Sequence, residues 1–291
     1  MKAPSLVDYF IANGNSDDIN YAHYDVAALD KNGLNALMFA FKFNKMLNLN
    51  YHQWNYLLNH SDLSVVDENK QDALMHAFSF GSSTNYDLTK EQTNFLIYNS
   101  NLLNCDRHGR NALMFGLKNN ASSALFLDSK QMNYLLRHSN LKQKTYLNLN
   151  CLYYAIMNDE ECVTLSKNQW HYLIDLSENN INALMSAIAV DNALDNKYIK
   201  KIIKKHKLKK NKDVLLQVLN YCIVSTDFDF SIFWNNFEDK KYLLKMLVEH
   251  NKNDKYKLLI EKKEVSVFVE RKIIKKSLLG FNSDKANIIK I

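Results

Sequence analysis

The chain has 291 residues, of which 47% are apolar and 23% charged, and its formal net charge is +6. With only 6 glycines and 1 proline, it has little material for a glycine-rich phosphate loop, and no apolar run approaches the ~18 residues of a transmembrane helix. The 4 cysteines show no paired spacing, which favours a reducing compartment. No long apolar stretch follows Lys2, so no secretory signal peptide is expected.

From the N-terminus onward, a motif of one small polar residue and an apolar triplet recurs along the chain. Before the first copy of this motif, residues 5–11 predict a helix that belongs to a partial repeat. The five copies are Asn35-Ala36-Leu37-Met38, Asp72-Ala73-Leu74-Met75, Asn111-Ala112-Leu113-Met114, Asn150-Cys151-Leu152-Tyr153 and Asn182-Ala183-Leu184-Met185. Their leucines are 37, 39, 39 and 32 residues apart, which predicts stacked supersecondary units. Asn and Asp are favoured N-cap residues, so each copy predicts the start of a short helix, here called the first helix of its repeat.

A polar tetrad lies just before most of these helices and predicts a turn. The tetrads are Asp30-Lys31-Asn32-Gly33, Asp67-Glu68-Asn69-Lys70, Asp106-Arg107-His108-Gly109 and Ser177-Glu178-Asn179-Asn180. Gly or Asn at the last position tolerates the left-handed conformation that such a turn needs.

A second helix is predicted between successive motifs. Each begins with an N-cap residue followed three positions later by glutamine, which is the pattern of a capping box. The pairs are Asn50 with Gln53, Thr89 with Gln92, Asp128 with Gln131 and Ser166 with Gln169. Apolar residues then follow at helical spacing, and each helix is expected to end near Ser61, Ser100, Ser139 or Ser177.

The repeat pattern becomes degenerate towards the C-terminus. Asp195 predicts one more capped helix, with Ile199, Ile202 and Ile203 on its apolar face. Residues 214–224, 242–248, 256–260 and 265–279 read as amphipathic helices. We therefore expect a repeat array over residues 1–195 and degenerate repeats or a basic capping bundle over residues 196–291.

The turn, first helix and second helix together resemble an ankyrin repeat. Asn35-Ala36-Leu37-Met38-Phe39-Ala40 is similar to that family's Thr-Pro-Leu-His-x-Ala segment, and Leu57-Leu58-Asn59-His60-Ser61-Asp62 is similar to its Leu-Leu-x-x-Gly-Ala/Asp segment. The units exceed the family's ~33 residues by about four to six, and they lack its proline, histidine and terminal glycine. The resemblance implies an all-α fold, an ankyrin-like α-solenoid of stacked helix-turn-helix repeats with a degenerate helical C-terminal part.

The same resemblance implies a non-enzymatic protein–protein interaction module, an adaptor or inhibitor that binds through its concave face and turn tips. Candidate contacts are the positions that differ between copies. On the turns these are Lys31, Asn32, Glu68, Asn69, Arg107, His108, Arg110, Tyr146 and Leu147, and on the first helices they are Phe43, Phe80 and Asn119. Two interpretations of Phe43 and Phe80 stay open: an aromatic binding patch or a cover over the long connectors.

Charge is concentrated in the last third of the chain. Residues 1–194 carry 14 basic and 19 acidic residues, whereas residues 195–291 carry 23 and 12. One interpretation is a scaffold that docks on nucleic acid or an anionic membrane through Lys200, Lys201, Lys204, Lys205, Lys209 and Lys210. The other is an amphipathic end helix whose lysines face solvent. The second is favoured, because lysine without arginine or stacking aromatics is a weak nucleic-acid signal.

No enzymatic motif accompanies the repeats. The sequence has no His-Glu-x-x-His, no Cys-x-x-Cys and no Gly-x-Ser-x-Gly, so no catalytic residue, metal or cofactor is expected. His60 and His138 lie at equivalent helix ends, where a cation interacts favourably with the helix dipole. The Asn- and Lys-rich composition suggests an AT-rich genome. We expect a cytoplasmic protein, or one delivered into a host cytoplasm if its source is an intracellular bacterium or virus.

Overall fold

The computed structural model describes residues 3–16, 19–79, 88–119, 127–157, 165–178, 181–189, 195–208, 210–224 and 230–250. Within these ranges every regular element is helical, which confirms the all-α class. The α-helices are α1 (Leu6–Asn13), α2 (Ala36–Lys42), α3 (Asn44–Leu47), α4 (Tyr51–His60), α5 (Ala73–Ser79), α6 (Lys90–Asn99), α7 (Ala112–Asn119), α8 (Ser129–His138), α9 (Cys151–Ile156), α10 (Lys167–Leu176), α11 (Ile181–Ala189), α12 (Asn196–Lys205), α13 (Lys212–Val224), α14 (Phe230–Asn236) and α15 (Lys240–His250). A short 3-10 helix spans Tyr21–His23.

The chain divides into two compact units, Met1–Ala183 and Leu184–Ile291. The first contains helices α1 to α10. In the second, α12 packs against α14. The assignment of repeats to residues 1–195 and of a capping bundle to 196–291 stays a prediction.

In the first unit, helices of the same type pack on one another in chain order. The first helices form one series, with α2 on α5, α5 on α7 and α7 on α9. The second helices form another, with α4 on α6, α6 on α8 and α8 on α10. Neighbouring repeats therefore meet helix against like helix.

The recurring apolar triplet lies in the interior between these helices. Leu37, Leu74 and Leu113 are fully buried, and Cys151, which replaces the alanine of the other copies, is buried as well. Helices α5 and α7 also approach each other closely at Gly116 of α7. A Cβ added there would lie 3.1 Å from the ring of Phe78 on α5, so a larger residue would crowd this ring. The motif is thus a core element that lets one repeat pack on the next.

Four of the five first-helix caps are confirmed. The side chains of Asn35, Asp72, Asn111 and Asn150 each accept the backbone N–H three residues later, at 2.9–3.1 Å. The cap predicted at Asn182 is wrong, because α11 begins at Ile181 and places Asn182 inside its first turn. There its Nδ2 donates instead to the carbonyl of Leu147, at 3.3 Å.

All four predicted capping boxes are present in the second helices. In each, the N-cap side chain accepts the glutamine N–H, and the glutamine Oε1 accepts the N-cap N–H. The second of these bonds measures 2.8–2.9 Å in all four repeats. This reciprocal bonding fixes where each second helix begins.

Candidate partner-binding surface

Four turns precede the first helices, and their conformation is fixed by one side chain each. Oδ1 of Asp30, Asp67 and Asp106 accepts the N–H groups two and four residues later, at 2.8–2.9 Å. Thr145 plays the same part in a fourth turn, where Oγ1 accepts the N–H of Leu149 at 3.1 Å. The last turn residue has positive φ in every case: Gly33, Lys70, Gly109 and Asn148. The sequence predicts Tyr146 and Leu147 on a turn, although 145–148 is not among the polar tetrads, and part of the turn predicted at 177–180 lies outside the described residues.

Backbone hydrogen bonds join these turns to one another. The N–H of Glu68 donates to the carbonyl of Asn32 at 3.0 Å, that of Arg107 to Asn69 at 2.9 Å and that of Tyr146 to His108 at 3.2 Å. The turns therefore lie side by side in one continuous row. We call the eight tip residues the turn row; they are Lys31, Asn32, Glu68, Asn69, Arg107, His108, Tyr146 and Leu147.

In the turn row, side chains that differ from one repeat to the next meet solvent. Seven of its eight members are exposed, and Asn32 is half-buried. Tyr146 and Leu147 are 70% and 59% exposed and lie side by side at the fourth tip. The rings of His108 and Tyr146 lie 5.3 Å apart across neighbouring turns. The structure thus brings together eight of the nine candidate residues on the turns; the ninth, Arg110, is described below.

Beneath the tips, the second carboxylate oxygen of each turn aspartate has a different partner. Oδ2 of Asp30 accepts from Asn32 Nδ2 at 3.1 Å, and that of Asp67 lies 3.2 Å from Nε2 of the buried His76. Burial raises the pKa of Asp67, but the hydrogen bonds from His76 and from backbone N–H groups outweigh it and leave the pKa lowered. The charged form of this carboxylate is therefore held in place under the turn.

Arg110 occupies an internal position rather than the turn tip. Its Nε donates to Asp106 Oδ2 at 2.8 Å, and its guanidinium lies 4.4 Å from the ring centroid of Phe115. The Arg110 side chain is therefore held by Asp106 and by the ring of Phe115. Of Arg107, His108 and Arg110, the first two are exposed at the tip of the third turn, whereas Arg110 is half-buried.

Of the candidates on the first helices, Phe43 lies away from the turn row. Phe43 caps the far end of α2, half-buried, with its ring 4.4 Å from that of Phe39. Because α2 has seven residues, about 10 Å separates its two ends. Asn119 ends α7, and its side chain and all of Phe80 lie outside the described residues. Contact through these three residues stays a prediction.

The lysine-rich segment forms an amphipathic helix, as expected. Ile199, Ile202 and Ile203 of α12 are buried. Of the six lysines considered for polyanion binding, Lys200, Lys204 and Lys210 are exposed, Lys201 and Lys205 are half-buried, and Lys209 lies outside the described residues. The arrangement matches an amphipathic helix with lysines on its solvent side, and binding to a polyanion stays a prediction.

One set of inter-repeat contacts was not foreseen from the sequence. The Nε2 of Gln92, Gln131 and Gln169 donates to the Oδ1 of Asn55, Asn94 and Asn133, respectively, at 2.9–3.1 Å. The same glutamine thus caps its own helix and bonds to the preceding one. Its signal in the sequence is the recurrence of Gln-x-Asn at 53–55, 92–94 and 131–133.

Neither a metal cluster nor a membrane-spanning helix is found in the part of the chain that the structure describes. No group of three or more His, Cys, Asp or Glu side chains there is placed to hold a metal ion. No helix there is long and apolar enough to cross a membrane. Comparison of the chain with protein-family models and with curated proteins found no match.

Proposed function

We propose that the chain is a non-enzymatic protein-binding module, an adaptor or inhibitor built on ankyrin-like solenoid repeats, and that its partner contacts the turn row. The observation that carries this proposal is the contrast within each turn. In all four turns the side chain of the first residue accepts the backbone N–H four residues later, whereas the exposed tips differ from turn to turn.

Such a surface is suited to specific recognition. Binding costs conformational entropy when loops must be ordered, and a surface already fixed by its own hydrogen bonds avoids much of that cost. The tips also include Tyr146 and Arg107, the residue types that most often dominate interface energy. A rigid backbone with variable tips therefore favours binding over catalysis as the task of the first unit.

The chain offers a matched pair of variants to test this proposal. Arg107 and His108 lie adjacent at a turn tip, and Arg137 and His138 lie adjacent at the end of α8, and all four are exposed. Both pairs would be changed to alanine, and the full-length proteins used for affinity capture from a host-cell lysate, followed by quantitative binding to the purified partner. Circular dichroism would confirm that both variants fold.

We expect the turn variant to lose at least about tenfold in affinity, as at an interface hot spot. The α8 variant should stay within about twofold of the unchanged protein, as for a residue outside the contact. Equal affinity of both variants, or loss only in the α8 variant, would overturn the proposal.

A further inference from the structure

Formal charge is unevenly distributed within the first unit. Residues 101–149 contain seven basic residues and two acidic ones, for a net charge of +5. Residues 1–100 and 150–183 contain seven basic and sixteen acidic residues, for a net charge of −9. The repeat that carries Arg107 and His108 is therefore a basic zone within an acidic unit.

Both acidic residues of the basic zone are engaged by cations. Asp106 is bonded to Arg110, with 2.7 Å between the guanidinium and Oδ2, and Asp128 is paired with Lys90 of the preceding repeat. Lys144 is paired with Glu178, at 2.8 Å. Arg107 and Lys142, by contrast, are exposed. Arg107 and Lys142 are therefore exposed cations of the basic zone that lie in the third turn and just before the fourth. The pKa of Glu178 is lowered mainly by its bond to Lys144, and the charge of Lys142 contributes.

The third and fourth turns pack closely: the ring centroids of His108 and Tyr146 lie 5.3 Å apart, and Lys142 directly precedes Gln143, whose side chain bonds to the third turn. A Cβ added to Gly109 would lie 2.9 Å from the carbonyl oxygen of Lys144, and Gln143 Nε2 donates to the Gly109 carbonyl at 3.1 Å. Because the two turns touch here, Arg107 and His108 lie next to Tyr146. We call this surface the basic-aromatic patch; it comprises Arg107, His108, Lys142, Tyr146 and Leu147.

We propose that the basic-aromatic patch binds a short acidic segment of a partner protein, with one apolar side chain on Tyr146 and Leu147 and carboxylates at Arg107 and Lys142. This inference rests on the proposed function and adds the chemistry of the partner. Guanidinium–carboxylate bonds are strong and directional, and the exposed tyrosine and leucine supply apolar area that becomes buried on binding.

The surrounding charge limits the length of the ligand. An acidic segment that extended beyond the patch would meet the net negative remainder of the unit, where like charges repel it. A long nucleic acid lying along the first unit would meet the same repulsion along its backbone. The charge pattern therefore favours a short acidic peptide over an extended polyanion.

Fluorescence anisotropy with the full-length chain can test this inference directly. The probe is a dye-labelled peptide with a central leucine flanked on both sides by aspartate and glutamate. The comparison probes replace the leucine with glycine, or the acids with asparagine and glutamine, and a short single-stranded DNA of matched charge serves as the polyanion. Arg107→Gln and Tyr146→Ala remove patch contacts, and Arg137→Gln makes the same charge change on α8.

We expect saturable binding of the acidic leucine peptide, weakened at least about tenfold by either patch variant and by either peptide change. Arg137→Gln should stay within about twofold. No saturable binding, equal binding of the glycine probe, or equally tight binding of the DNA through Arg107 would overturn the inference. If the peptide fails while the Arg107 and His108 alanine variant still loses a captured partner, only the acidic chemistry is wrong. If that partner is also retained, the proposed function fails with it.

Discussion

Replacing Gln92 with alanine tests the contact that joins successive second helices. Gln92 is 3% exposed, its Oε1 accepts the N–H of Thr89 at 2.9 Å, and its Nε2 donates to Asn55 Oδ1 at 2.9 Å. The change removes both bonds and leaves the Thr89 N–H and the Asn55 oxygen without this partner. We expect the free energy of unfolding to fall by about 2–3 kcal/mol, of which ~1 kcal/mol comes from the capping box and the rest from the inter-repeat bond.

Urea denaturation followed by circular dichroism measures this loss. Asn55→Ala and the double variant complete a mutant cycle, whose coupling energy should be about 0.5–1.5 kcal/mol. Glu91→Ala is the control, since Glu91 is exposed in the same turn of α6, and it should change stability by less than about 0.5 kcal/mol. The reasoning is refuted if Gln92→Ala costs no more than Glu91→Ala, or if the cycle shows no coupling.

Three further predictions concern the turn and the core. Gly109→Ala should cost about 2 kcal/mol or more in urea denaturation, because φ is +78° and the Lys144 carbonyl oxygen lies 2.9 Å from the added Cβ. Gly14→Ala, with φ of +71° and no atom within 4 Å, should cost less. Burial raises the pKa of Asp72, so ionising this carboxyl destabilises the fold; the destabilisation is fully present above the folded pKa and disappears as pH falls through it towards the unfolded value of about 4. Asp72→Asn should therefore add about 1 kcal/mol at neutral pH, and a pH series of unfolding curves should show that gain vanish in acid. Burial also raises the pKa of the Cys151 thiol to about 12, so maleimide should label Cys151 only after the protein unfolds. Mass spectrometry of the digested protein locates the label, and rapid labelling of Cys151 in the native protein would contradict this.

Local chemistry explains which features the sequence could predict. The capping box of Asn50 and Gln53 needs only residues three apart, and it formed as expected. Helix starts, turns built on aspartate and the buried apolar triplet depend on equally short spacings. These signals recur in each repeat, so one pattern predicted many elements.

Features that depend on packing between distant residues were not predictable in the same way. Gln92 and Asn55 are 37 residues apart, and nothing local shows that their side chains meet. Asn182 has the composition of a cap but lies within α11, since Ile181 is already helical. Likewise, the spacing that placed Arg110 beside a turn tip did not show whether it faces solvent or turns back to Asp106.

Photocrosslinking gives the most direct test of the claim that a partner contacts the turn row. A photoreactive phenylalanine would replace Leu147 at the fourth turn or, in a second protein, Leu176 at the end of α10; these leucines are 59% and 46% exposed. Both full-length proteins would be irradiated with the captured partner. We predict a crosslinked complex from position 147 and none above background from position 176. Crosslinking from position 176 alone, or equal yields from both positions, would contradict the account.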